Sequence, residues 1–183
     1  KPALEAKSVK DLVAAAKAKP GTISHASYGA GSPSHLIVEW LKEETGTDMV
    51  HVPYRASPVP DVMGGQVDTV MEPIATAFPL ISSGKVQALA YSGPARFAAL
   101  PNVPTLAEQG LNDEAYRVAG WLAFGAPAGT PPAILERLAT EVRKATELPD
   151  VAQRIAAMGF DVQKSSPAQF AAAMVKERPV WER

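Results

Sequence analysis

The stretch Thr22–Glu44, TISHAS-YGAGSPS-HLIVEWLKEE, changes character twice. Thr22 to Ser27 reads as a short strand. Tyr28-Gly29-Ala30-Gly31-Ser32-Pro33-Ser34 is a glycine and serine turn, and His35 to Glu44 places Leu36, Ile37, Trp40 and Leu41 on one helical face. Strand, turn and helix in that order form the unit from which parallel sheets are built, because parallel strands need a crossover connection.

The unit recurs downstream. Met49 to Val52 predicts a second strand, Pro53 to Pro60 its loop, and Asp61-Val62-Met63 a short helix stopped by Gly64-Gly65. Val67 to Met71 predicts a third strand, followed by Pro73 at a helix start, a helix over Ile74 to Ile81, and a Ser82-Ser83-Gly84 break. Val86 to Tyr91 predicts a fourth strand. Upstream, Ser8 and Asp11 resemble a capping box ahead of Val9, Leu12, Val13 and Ala16, and Pro20-Gly21 ends that helix near Lys19. The expected fold class is α/β, with a mainly parallel sheet covered on both faces. Further on, Ser92 to Pro104 reads as a Pro-punctuated loop and Thr105 to Gln109 as a short helix closed by Gly110. A strand is expected at Trp121 to Ala126. Ile134, Leu135, Leu138, Val142 and Ala145 then mark the clearest amphipathic helix, with more helices at Asp150 to Met158 and Pro167 to Lys176 and a short strand at Phe160 to Gln163. This last, mostly helical third is assigned to a different packing layer.

Composition narrows the function. The 183 residues carry 18 Lys+Arg against 19 Asp+Glu, a net charge of −1, without the basic excess that nucleic-acid binding uses. Hydrophobic residues make up 46%, enough for a core. The absence of cysteine excludes disulfides, thiolate metal sites and cysteine nucleophiles. The longest stretches without Asp, Glu, Lys or Arg, Pro20 to Val38 and Val118 to Leu135, are broken by Gly and Pro, so neither reads as a membrane span.

The motifs for chemistry fall short. His25, His35 and His51 show no metal-ligand spacing, so no metal is expected and the histidines read as packed or hydrogen-bonded near loops. Gly31-Ser32-Pro33-Ser34-His35 lacks the second glycine of a hydrolase elbow. Gly29-Ala30-Gly31 starts like a dinucleotide fingerprint but has Ser34 in place of the third glycine, and no cofactor is expected. What remains is an anion site. A glycine and serine turn feeding a helix offers main-chain N–H groups, the positive end of the helix dipole, and hydroxyls from Ser27, Ser32 and Ser34. The next loop, Pro53-Tyr54-Arg55-Ala56-Ser57-Pro58, adds a guanidinium suited to a carboxylate. Both loops follow strands, where ligands collect in open α/β sheets. Ordinary βα turns with a solvated Arg55 are the alternative reading.

Ser27 to Leu36, His51-Val52-Pro53-Tyr54-Arg55, Gly64-Gly65-Gln66-Val67-Asp68, Leu100 to Gly110 and Ala126 to Pro131, taken in order, resemble the signature of the Bug family, periplasmic solute-binding proteins of tripartite tricarboxylate transporters. The resemblance implies a periplasmic-binding-protein-like flytrap of type II. Such a receptor binds a small carboxylate (organic acid, acidic amino acid or aromatic acid) between two lobes and delivers it to a membrane permease without catalysis. It implies ligand contacts from Ser27, Tyr28, Gly29, Ala30, Gly31, Ser32 and Ser34, from Tyr54, Arg55, Ala56 and Ser57, and from Glu72. Glu72 stands where the family usually has Asp, Ala56 where it mostly has Gly, and Tyr28 where a small polar residue is usual. It also implies that residues 1–117 form the second lobe, that residues 118–183 return to a first lobe, and that a signal peptide and the rest of that lobe are missing here. Apolar surface left uncovered in the helical third would then drive self-association. The competing expectation is a small α/β enzyme acting on an anionic substrate through the Ser27 to Ser34 loop.

Overall fold

The computed structural model describes residues 4–117, 121–158, 160 and 162–182. The chain divides into two compact units, Lys1–Ala119 and Gly120–Arg183. The expected division between residues 117 and 118 borders on Val118, Ala119 and Gly120, which lie outside the described residues.

The first unit is α/β. Its elements are α1 (Val9–Ala18), β1 (Ser24–Ser27), α2 (Pro33–Thr45), β2 (Val50–Pro53), α3 (Val59–Gly64), β3 (Thr69–Val70) and α4 (Ile74–Ser82), followed by 3-10 turns at Ala107–Gln109 and Glu114–Arg117. The three strands form one parallel sheet in the order β2-β1-β3. The register pairs Ser24 with Val50, His25 with both His51 and Thr69, and Ser27 with Pro53. As the middle strand, β1 buries His25, Ala26 and Ser27. Ser8 caps α1 by accepting the Asp11 amide, and Ser32 caps α2, with Pro33 supplying a preset φ at the first helical position. Gly46 ends α2 in the left-handed region at φ 63°, a conformation that costs a side chain-bearing residue energy.

The core joins Val9, Leu12 and Ala16 of α1 to Ile37 and Leu41 of α2, with Ile23, Ala26, Met49, Val67, Leu106, Leu111 and Tyr116 around them. Two side chains fasten its periphery. The Tyr116 hydroxyl, on a side chain 1% exposed, donates to Glu44 Oε2 at 2.7 Å. Gln109 accepts the Val9 amide at 2.8 Å and donates to the Leu89 carbonyl at 2.9 Å.

That second bond bears on the expected fourth strand, which does not form. Among the described residues, Val86 to Tyr91 contributes only an isolated parallel bridge from Tyr91 to Thr105. Tyr91 bonds the main chain of Pro104 and Leu106, and the Leu89 carbonyl is taken by Gln109, so groups that a ladder would use have other partners.

The second unit consists of α5 (Pro132–Glu147), α6 (Pro149–Ala157) and α7 (Pro167–Trp181), with α5 packed on both others. Each helix carries Pro in its first turn, and Ser166 with Gln169 completes a capping box on α7. Trp121 packs edge-on against Phe170, ring centroids 5.0 Å apart. The strand expected at Trp121 to Ala126 is absent: the segment is exposed and pairs with no strand among the described residues. An apolar run supplies strand tendency, but only a partner ladder satisfies its backbone. Of the strand expected at Phe160 to Gln163, Asp161 lies outside the described residues and the others are irregular. Helix α7 continues past Lys176 through Pro179 to Trp181, whose indole donates to Glu177 at 2.7 Å. Much apolar surface is open here, with Leu122 80% and Phe124 88% exposed alongside Ile134, Leu138 and Val175. No helix among the described residues is long and apolar enough to cross a membrane.

Leu41→Ala, which opens a cavity in the first unit's core, is expected to cost about 2–4 kcal/mol. Tyr116→Phe, which removes one charge-assisted hydrogen bond, is expected to cost about 1–2 kcal/mol. Denaturant titration of both variants checks the order.

Candidate functional site

Parallel pairing sends the chain out of β1, β2 and β3 at Ser27, Pro53 and Val70, all on the same edge of the sheet. The β1–α2 loop turns on Gly29 and Gly31, at φ 112° and 79°. Its polar groups are largely spent on each other. The Tyr28 amide donates to Ser34 Oγ at 3.2 Å, the Gly29 amide to Ser27 Oγ at 3.1 Å, and the Ser32 amide and hydroxyl both to the Gly29 carbonyl. Ser32 Oγ also lies 3.0 Å from Ser34 Oγ, while the Gly31 amide donates to His35 Nδ1 at 3.2 Å. Among the described residues, the Ala30 and Ser34 amides meet no acceptor. The hydroxyls of Ser27, Ser32 and Ser34, expected to face a ligand, thus brace the loop; Ser27 is 0% exposed.

The β2–α3 loop lies alongside. The Tyr54 amide donates to the Ser27 carbonyl at 2.9 Å, and its hydroxyl to Asp61 at 2.7 Å. Arg55, Ala56 and Ser57 are exposed, and Arg55 forms no ion pair among the described residues. Tyr28, 41% exposed, ties the edge together, donating from its hydroxyl to Glu72 Oε1 at 2.6 Å. Burial raises the Tyr28 phenol's pKa first, the Glu72 bond adds to the rise, and the Ser57 hydroxyl opposes it. Loops after all three strands therefore meet at one phenol. Glu72 Oε2 is shielded from water and has no hydrogen-bond partner among the described residues. Burial raises this carboxyl's pKa, offset in part by Tyr28 and by Thr76, which lies near without closing a hydrogen bond to Oε2.

The three histidines, read from the sequence as packed or hydrogen-bonded near loops and left out of the expected site, gather around this one. His25 Nε2 lies 2.9 Å from the Ser34 carbonyl and Nδ1 3.2 Å from Thr69 Oγ1. A carbonyl only accepts, so Nε2 carries the proton. His51 Nε2 lies 2.6 Å from Ser27 Oγ, and the His51 and His35 rings stack with centroids 4.0 Å apart. His35 Nε2 lies 3.8 Å from Glu39. One signal was available: His25 and His51 sit in two consecutive predicted strands, and strand pairing sets them side by side. The Ser27–His51 distance matches a nucleophile and its base, but Ser27 is fully buried and no carboxylate bonds His51 among the described residues, so the pair lacks both access and an orienting group. No cluster of three or more His, Cys, Asp or Glu side chains that could hold a metal occurs among the described residues.

The sequence pattern of the tripartite tricarboxylate transporter family receptor matches residues 1–181. Relatives include the UPF0065 protein in the tcbD-tcbE intergenic region of Pseudomonas sp. (strain P51), 33% identical over 97% of this chain and 53% of its own length. Protein BugT of Bordetella pertussis is 32% identical over 98% of this chain and 55% of its own. This chain thus spans about half the length of the curated relatives it matches. Among solved structures, R. palustris Rpa4515 with adipate superposes with a TM-score of 0.88 at 29% identity, over 98% of this chain and 60% of that one. MatC (Rpa3494) from Rhodopseudomonas palustris with bound malate gives 0.89 at 27% identity, over 98% and 62%. Periplasmic binding protein BugD gives 0.88 at 28% identity, over 99% and 61%.

Burial pushes the His25 pKa from its ordinary 6.5 down to about 4, against the pull of its Ser34 bond. The unfolded chain therefore takes up this proton first as pH falls. The stability that His25 contributes is complete above pH 6.5 and is lost between there and about 4, on the order of 3 kcal/mol. Denaturation midpoints at several pH values are expected to show this slope, and His25→Asn to flatten it.

Proposed function

This chain belongs to the tripartite tricarboxylate transporter receptor family, and on that premise we propose that it is the ligand-gripping part of a periplasmic receptor for a small carboxylate. The observation that carries the reading is the β1–α2 loop. Two unpaired amides, Ala30 and Ser34, lie at the positive end of a 13-residue helix, next to a loop with an unpaired guanidinium at Arg55. Such a site holds an acid group without chemistry. Two relatives solved with acids carry adipate and malate, both dicarboxylates, which supports an organic diacid here.

In this proposal Tyr28, Gly29, Ala30, Gly31, Ser32 and Ser34 frame the acid group, Tyr54, Arg55, Ala56 and Ser57 flank it, and Glu72 bounds the pocket through Tyr28. Ser27 supports the loop from behind. Residues 1–117 are the second lobe of the receptor and residues 118–183 return to its first lobe. The length of the relatives supports this, as does the exposed apolar surface around Trp121, Leu122, Phe124, Ile134 and Leu138. The partners are the carboxylate and the membrane permease that receives it.

A dicarboxylate in large excess over its Kd is expected to raise the melting temperature, since binding at 100 Kd stabilises the folded form by about 2.7 kcal/mol. If main-chain amides do the holding, Gly31→Val, strained at φ 79°, weakens binding about tenfold and more than Arg55→Lys does. Calorimetric titration of both variants with malate and adipate checks this, and an equal or reversed loss means that the guanidinium dominates. Sedimentation of the isolated chain is expected to show concentration-dependent association through the second unit; a clean monomer at all concentrations counts against the uncovered-surface reading.

A further inference from the structure

The chain has 3 histidines, and each of them touches the β1–α2 loop. His25 holds the Ser34 carbonyl, His35 accepts the Gly31 amide, and His51 meets the Ser27 hydroxyl. Their protonation states are not equivalent. His25 is buried, donates from Nε2, and stays neutral as a fixed anchor. His35 is different: an amide donates to its Nδ1, so that nitrogen is bare and the ring proton sits on Nε2, toward Glu39.

A proton added at His35 Nδ1 would face the Gly31 N–H, donor against donor. The bond would break and the Gly31 amide would be freed at the loop, beside those of Ala30 and Ser34. The same proton brings a positive charge next to the loop. Both consequences favour an anion there. The stacked ring of His51, 4.0 Å away, disfavours a second charge, so the two rings together have room for one added proton. The groups facing the pair are named by the packing. Glu39 on α2 favours the charge, while Lys42, bonded to Glu39 at 2.8 Å, and His25 on β1 oppose it. Burial and the His35 ring keep the His51 pKa below its ordinary value, so the pair has room to gain a proton when an anion arrives.

We infer that the stacked His35–His51 pair is a proton-accepting part of the anion site, so that a carboxylate is captured together with a proton. The inference rests on the receptor reading and extends it to the state in which ligand is held. The coupling is reciprocal: an anion that favours the protonated pair binds more tightly wherever protons are more available. Affinity therefore rises as pH falls from 8 to 6, a range in which a ligand's own carboxylates stay ionised.

The test is titration calorimetry of this chain with malate and with adipate, at pH 6 to 8, in two buffers of different ionisation heat. The expected result is uptake of a fraction of a proton per acid bound and roughly fivefold tighter binding at pH 6 than at pH 8. His35→Gln is expected to abolish the uptake and flatten the profile. Should that variant fail to fold, proton NMR of the unmodified chain gives the same answer. The pair's proton-uptake midpoint should rise by at least ~0.7 pH units when malate is bound, because a shift of that size caps the affinity gain at about fivefold. Binding that is independent of pH and buffer overturns the inference and leaves the receptor reading in place. Uptake that persists in His35→Gln overturns it too. Failure of every acid to bind at any pH overturns both.

Discussion

Parallel pairing on both edges of a four-residue strand, Ser24–Ser27, is the constraint from which the rest of the first unit follows. A parallel strand cannot be reached by a tight turn, so α2 and α3 are required as crossovers, and every strand delivers its outgoing loop to the same edge. Residues far apart in sequence, Tyr28, Ser57 and Glu72, are thereby brought to one phenol hydroxyl. The middle strand has no face in water, so its polar side chains must find partners inside. His25 and Ser27 do so by bonding the loop that β1 itself feeds.

That loop settles a conflict between holding its shape and remaining available to a ligand. A turn with two left-handed glycines is floppy unless its polar groups are engaged. The serine hydroxyls and the histidine rings engage most of them, leaving two amides at the helix start. Under the proposed receptor role, rigidity of this kind would lower the ordering cost of docking an acid group on a loop that has no cationic side chain of its own. The same economy applies to the Ser27 hydroxyl, which stands 2.6 Å from His51 Nε2 yet is buried as part of the scaffold.

Elements with local signatures were legible before any coordinates. The helix starts at Ser8, Pro132 and Pro167 and the end at Gly65 are written in local residue chemistry, and β1 to β3 stand where the strand, turn and helix pattern places them, while α2 begins at Pro33, two residues before the expected His35. Strand readings failed where pairing was supplied by something nonlocal. Val86 to Tyr91 has strand composition, but Gln109 and the segment around Thr105 take its backbone bonds. Trp121 to Ala126 has strand composition but pairs with no strand among the described residues. The helix expected to close at Lys176 instead runs on through Pro179 to Trp181.

The sequence by itself determined the α/β class, the glycine and serine turn at Tyr28 to Ser34 between a strand and a helix, and the absence of any cysteine chemistry, because each depends on residue type at short range. Only the tertiary structure decided that the serines brace the loop from within, that Tyr28 reaches Glu72, and that three scattered histidines share one loop. The reason is geometric. Register between neighbouring strands fixes which side chains stand next to each other, and register is a property of the pairing, not of either strand read alone.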